Sequence, residues 1–168
     1  MKVFAWTIAI IAALGASVSI AQAQSDAEKK LEALVMEYTR LEDAMDMMEQ
    51  SKLIVDDRTW HGVGGRRTNN PLWMKVQQEN WDAFKVAFPN VKFHTEVRDL
   101  HIRLIGDNAA VTSFTWFANR IVPGDLPIEK VEQLGRNPVP TVISLVWENR
   151  PDGWKIVSSH NSPLYIRQ

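Results

Sequence analysis

The segment Ser158-Ser159-His160-Asn161-Ser162 concentrates the strongest candidates for proton-transfer chemistry. A neutral imidazole can take up or release a proton near pH 7, and flanking hydroxyls can orient a ligand or the ring. Strand alternation across the turn Arg150-Pro151-Asp152-Gly153 sharpens the expectation. When an even number of loop residues joins an antiparallel pair, odd residues of the first strand share a face with even residues of the second. One face then carries Ile143, Leu145, Trp147, Trp154, Ile156, Ser158 and His160, and it is the more apolar of the two. That face is expected to point inward, with His160, Ser158 and Ser162 on an inner wall. His160 is the candidate acid/base. The plainer alternative is a hydrogen-bonded histidine that only shapes a cavity.

Other residues could share that space. Tyr38 lies on an apolar helix stripe and could aim its hydroxyl inward, or be a buried tyrosine bonded to backbone. Trp147 shares the inward face, whereas the register of Trp116 is ambiguous by one residue, and a slip reverses the face. His94 follows the Pro89-Asn90 break with uncertain parity. Asp99, His101 and Arg103 share one strand face, but Leu100, Ile102 and Leu104 alternate with them and claim the core, so the polar trio is expected at the surface or an interface. A general base for isomerase chemistry would be a buried carboxylate. Glu42, Asp46, Asp56 and Asp57 come nearest, and each reads better as a cap, turn or solvated group. The four histidines show no paired spacing, so no metal site is expected. Gly62-Val63-Gly64-Gly65-Arg66-Arg67 lacks the strand–loop–helix context of a phosphate cradle and reads as a flexible loop.

The elements that must position these residues follow from periodicity. Ser25-Asp26-Ala27-Glu28 forms a capping box. It opens a helix whose Leu31, Leu34, Val35, Tyr38, Leu41, Met45 and Met48 make one apolar stripe. This helix is expected to run to about Met45–Met48, with or without a shorter helical piece reaching Ile54. Asp56 to Thr59 reads as a turn, and Trp60 to Gly65 as a short strand entering a glycine loop. Asn70-Pro71 starts a second long helix, with Asn70 as N-cap, and Pro89-Asn90 stops it. Strands are expected over Val91–Ile105, Ala109–Val122, Val139–Asn149 and Trp154–Ile166, with a long loop at 123–140. Helices precede strands, which predicts an α+β fold with helices on one face of a curved antiparallel sheet.

Composition narrows the partners. The 168 residues include 19 basic and 20 acidic side chains, a net charge of −1 that argues against a nucleic-acid partner. With no cysteine there are no disulfides, thiolate metal sites, cysteine nucleophile or lipidated cysteine. Met1-Lys2, the apolar stretch Val3–Ala21 and the small-x-small site Ala21-Gln22-Ala23 read as a secretory signal peptide over 1–23. The expected product is a single exported domain, 24–168, periplasmic or secreted, with no membrane attachment after cleavage. Trp6 leaves with the leader, so six of the seven tryptophans belong to the domain.

Several of these features together resemble the SnoaL-like branch of the nuclear transport factor 2-like superfamily. They are the N-terminal helix, Asp56-Asp57 before Trp60-His61-Gly62, Gly106-Asp107-Asn108-Ala109 between strands, and Gly153-Trp154-Lys155-Ile156-Val157-Ser158-Ser159-His160-Asn161-Ser162. The likeness spans residues 26–166. It implies a cone, with a strongly bent sheet around the long first helix, a pocket at the wide end, and homodimers. It also implies that Trp60 and His61 lie at the pocket rim. The chain departs from the pattern in having no Gly or Pro from Glu42 to Lys52, and in a longer 123–140 loop. The expected function is binding of a small, mostly apolar organic molecule in an aromatic pocket. Cofactor-independent isomerisation, dehydration or cyclisation through His160 would extend it. The alternative is a non-catalytic module for ligand sensing or oligomer assembly on the same fold.

Overall fold

A computed structural model describes residues 26–164. The leader 1–23, the Ser25 cap and the end of the last expected strand lie outside these residues. Among the described residues, no helix is long and apolar enough to cross a membrane.

The first helix, α1, covers residues 26–43 and buries Leu31, Val35, Tyr38 and Leu41 along one side. Its end has a form that composition conceals. Met45 adopts a left-handed conformation (φ 56°), its N–H donates to the Glu42 carbonyl, and the Asp46 N–H donates to the Leu41 carbonyl. This is the paired closure normally built on glycine, here carried by a methionine whose side chain is buried. Asp46 then caps α2 (Met47–Ser51) by accepting from the Glu49 N–H at 3.1 Å.

Strand β1 (Ile54–Gly62) includes the segment read as a turn. Asp56 and Asp57 are exposed and sit at an irregularity in the ladder between Ile54 and Thr59, so the chain stays extended while its pairing is interrupted. A tight turn leads to β2 (Gly65–Arg67). Helix α3 (Asn70–Ala87) is capped by Asn69, not Asn70: the Asn69 Oδ1 accepts from the Leu72 N–H, and Asn70 is buried within the helix. Strands β3 (Lys92–Ile105) and β4 (Ala109–Ile121) form a long hairpin. The 123–140 connection contains a short helix, α4 (Ile128–Leu134). Arg120 ties it back to β4 by donating to the carbonyls of Leu134 (2.6 Å) and Arg136 (3.1 Å). Strands β5 (Thr141–Arg150) and β6 (Gly153–Pro163) complete one open six-stranded sheet, ordered β2-β1-β6-β5-β4-β3.

The sheet is mixed rather than wholly antiparallel, because β1 runs parallel to β6. Its inner face contributes Ala110, Phe114, Trp116, Ile143, Leu145, Trp147, Trp154 and Ile156 to one cluster with Leu31, Val35 and Tyr38 of α1. The α+β layering and the N-terminal helix against the sheet are as the periodicity requires.

One local detail redirects the functional reading. Trp147 pairs with Ile156 but Val146 pairs with Ser158, so Val157 is an extra residue in β6. A bulge of this kind reverses which side chains face inward beyond it. Ser159, at 2% exposure, points into the core, whereas His160 and Ser162 are exposed and Ser158 is half-buried.

Candidate functional site

A cavity of about 310 Å³ opens between α1, α2, the β1–β2 hairpin, α3 and the ends of β3, β4 and β5. Four of the six tryptophans of the expected mature domain line it: Trp60, Trp73, Trp81 and Trp116. Trp116 meets the Tyr38 ring edge-to-face at 6.0 Å. At the lip, the Arg67 guanidinium lies between two indoles, 4.7 Å from the Trp60 ring centre and 4.5 Å from that of Trp73. Such a stack keeps a cation partly desolvated without an anion beside it. Pro138, Val139 and Thr141, where the long connection rejoins the sheet, supply another part of the wall.

The polar wall is built by α1, α2 and β1. Tyr38 and Glu42 are one helical turn apart on α1 and so share a face. Gln50, buried on α2, donates from Nε2 to the Tyr38 carbonyl (3.0 Å) and to Glu42 Oε2 (2.8 Å). Burial, with Asp43 beside it, raises the Glu42 pKa above the usual carboxylate value; the Gln50 bond and Arg58 offset this only in part. Burial, reinforced by Glu42, pushes the Tyr38 hydroxyl up to about 12, with Arg58 opposing. Tyr38 is therefore a neutral O–H across the working range. Arg58 itself is 6% exposed, and burial lowers its pKa. Asp43 is engaged by β3: its carboxylate accepts from the Thr95 N–H (2.8 Å) and hydroxyl (2.6 Å).

Of the residues singled out by sequence, the structure gathers Tyr38, Trp60 and Trp116 around the cavity. His160, Ser158 and Ser162 are not there, because the Val157 bulge turns them to the other face of the sheet. His61 and His94 are exposed on outward positions of β1 and β3. Trp147 is fully buried below the cavity and donates from Nε1 to the Thr112 hydroxyl at 2.9 Å, so it fills the core and lines nothing. The trio Asp99, His101 and Arg103 is exposed.

The main correction concerns carboxylates. Glu42 and Asp43 both line the cavity, although sequence reasoning found no inward acid. Two spacings could have revealed the wall: Glu42 four residues after Tyr38 on the apolar stripe, and Arg58 two residues before Trp60 on one strand face.

No protein-family model matches the sequence, and comparison with curated proteins finds no match. Solved structures do match in shape. An NTF2-like protein with a cystatin-like fold from Novosphingobium aromaticivorans is 16% identical with a TM-score of 0.64, over 90% of this chain and 88% of that one. A candidate dehydratase of the NTF2-like family from Streptomyces avermitilis is 15% identical with a TM-score of 0.63, over 85% of this chain and 99% of that one. The hub homology domain of a Chlamydomonas reinhardtii CamKII is 18% identical with a TM-score of 0.62, over 83% of this chain and 99% of that one. With an open sheet curled on a long helix and these neighbours, the chain has the nuclear transport factor 2-like fold.

Proposed function

We propose that this protein binds a small, mostly apolar organic molecule in the tryptophan-lined cavity and transfers a proton on it without a cofactor. Isomerisation, dehydration and cyclisation are the reactions of this kind. One observation carries the reading: the Glu42 carboxyl, with its raised pKa, and the Tyr38 hydroxyl share a wall of an otherwise aromatic cavity. A carboxyl shifted upward by burial works as an acid or base closer to neutral pH. Tyr38, neutral to about pH 12, donates a hydrogen bond that orients a ligand carbonyl. Glu42 takes the role expected of His160, which lies on the opposite face. The candidate dehydratase of the same fold lends support to this reading.

The test uses acetophenone, 1-indanone and 2-tetralone in D2O, with exchange of the protons beside the carbonyl followed by NMR. The intact protein should accelerate exchange of at least one ketone, and Glu42→Gln should lower that rate about a hundredfold or more. If ketones raise the melting temperature while none exchanges, the protein binds without catalysis. The hub homology neighbour favours a second reading of that kind, an assembly module. Light scattering would then show a defined oligomer larger than the homodimer we propose for the enzyme. We also propose export, with cleavage after Ala23.

A further inference from the structure

The proton-transfer reading leaves one cavity group unused. Arg58 lines the cavity at 6% exposure. Among the described residues it makes none of the ion pairs, so no carboxylate oxygen lies within 4.0 Å of it. Among the described residues its Nε–H has no hydrogen-bond acceptor, although the Tyr38 hydroxyl bonds another part of the guanidinium. A buried cation without a carboxylate in contact is costly, and native structures generally pair such charges. Tyr38 and Glu42 favour the charged form without outweighing burial, and a second cation opposes them. Arg67, stacked between Trp60 and Trp73, is close enough to act on Arg58 as a like charge, and it too has no ion pair among the described residues. The two nearby carboxyl groups are already engaged, Asp43 by Thr95 and Glu42 by Gln50.

We propose that the cavity's ligand is a carboxylic acid with an apolar, planar body, its carboxylate seated against Arg58 and its body against Trp60 and Trp116. This rests on the cavity being the ligand site. A planar two-oxygen anion matches the planar guanidinium fork. A single charge fits better than a phosphate dianion, because the Asp43 carboxylate stands on the same wall and repels further negative charge. The indoles of Trp60 and Trp116 give flat apolar surface for the body.

Calorimetric titration of the full domain with matched acids and amides tests this: phenylacetate, indole-3-acetate and 1-naphthylacetate against their primary amides at neutral pH. At least one acid should bind about tenfold or more tightly than its amide. The preference should persist in about 0.5 M salt, which screens exposed charges far more than buried ones. Arg58→Met should abolish the preference by weakening the acid far more than the amide, and Arg58→Lys should restore part of it. If Arg58→Met does not fold, the wild-type comparison and Arg58→Lys decide. Equal binding of acids and amides would overturn the carboxylate assignment and leave the cavity as the binding site. Binding of neither class would overturn both. A preference that disappears with salt belongs to exposed arginines such as Arg66 and would also overturn it.

Discussion

Glu42 is better off neutral where it stands. Burial and Asp43 favour its protonated form, and the Gln50 bond and Arg58 do not fully compensate. In the unfolded chain the group returns to the ordinary carboxylate range. Because the folded value lies higher, Glu42 begins to cost stability as the pH rises through the unfolded value, costs it in full above the folded value, and has no such effect below both. Glu42→Gln keeps an acceptor for Gln50 Nε2 and removes the charge. Its melting temperature should exceed that of the wild type at neutral and alkaline pH, with the gain vanishing below about pH 4. Melting curves across that range decide; a gain independent of pH would sink the argument. The aromatic part of this site was legible because Tyr38 sits on a clean helical stripe. Glu42 was not, because a carboxylate near an unmarked helix end reads as a cap. That end was unmarked because buried Met45 occupies the left-handed position where glycine is the usual signal.

At the scale of elements, alternation is a reliable guide only while the ladder is unbroken. It placed Ile143, Leu145, Trp147, Trp154 and Ile156 correctly in the core. It failed beyond Ile156, because a single extra residue, Val157, carries no compositional signature. Polar residues such as Asp56 and Asp57 likewise suggested a turn where the chain is an irregular strand. The β1–β2 hairpin offers a sharper test. Gly62 has no positive φ; its constraint is space, since an added Cβ would overlap the Trp60 ring. Gly62→Ala must therefore displace that indole from its stack on Arg67. We expect a stability loss of about 1–3 kcal/mol and at least tenfold weaker binding of whichever aryl ligand the domain takes. Urea unfolding and calorimetry measure the two effects. Unchanged affinity would show that Trp60 does not shape the ligand site.

Over the whole molecule, the α+β layering was legible because helices with one apolar stripe must bury it against the strands whose apolar faces match them. The mixed sheet was not, because nothing in β1 announces that its partner is β6. Fold neighbours at 15–18% identity show how little sequence this architecture demands. The export we propose has a direct readout at the scale of the whole chain: N-terminal sequencing of protein recovered outside the cytoplasm should begin at Gln24. A start at Met1 would refute cleavage.

The parallel pairing of Ile54 with Ile156 also sets an order of events. A ribosome delivers β1 early, yet the strand that holds it in the sheet is the last one described. Until β6 emerges, β1 has only the three-residue β2 as a ladder partner, so the strand that carries Arg58 and Trp60 is paired along one edge only. Closing so distant a pair is slow compared with forming neighbouring hairpins. The β1 share of the cavity wall therefore waits on β6, and a chain truncated before β6 should lack a complete ligand site.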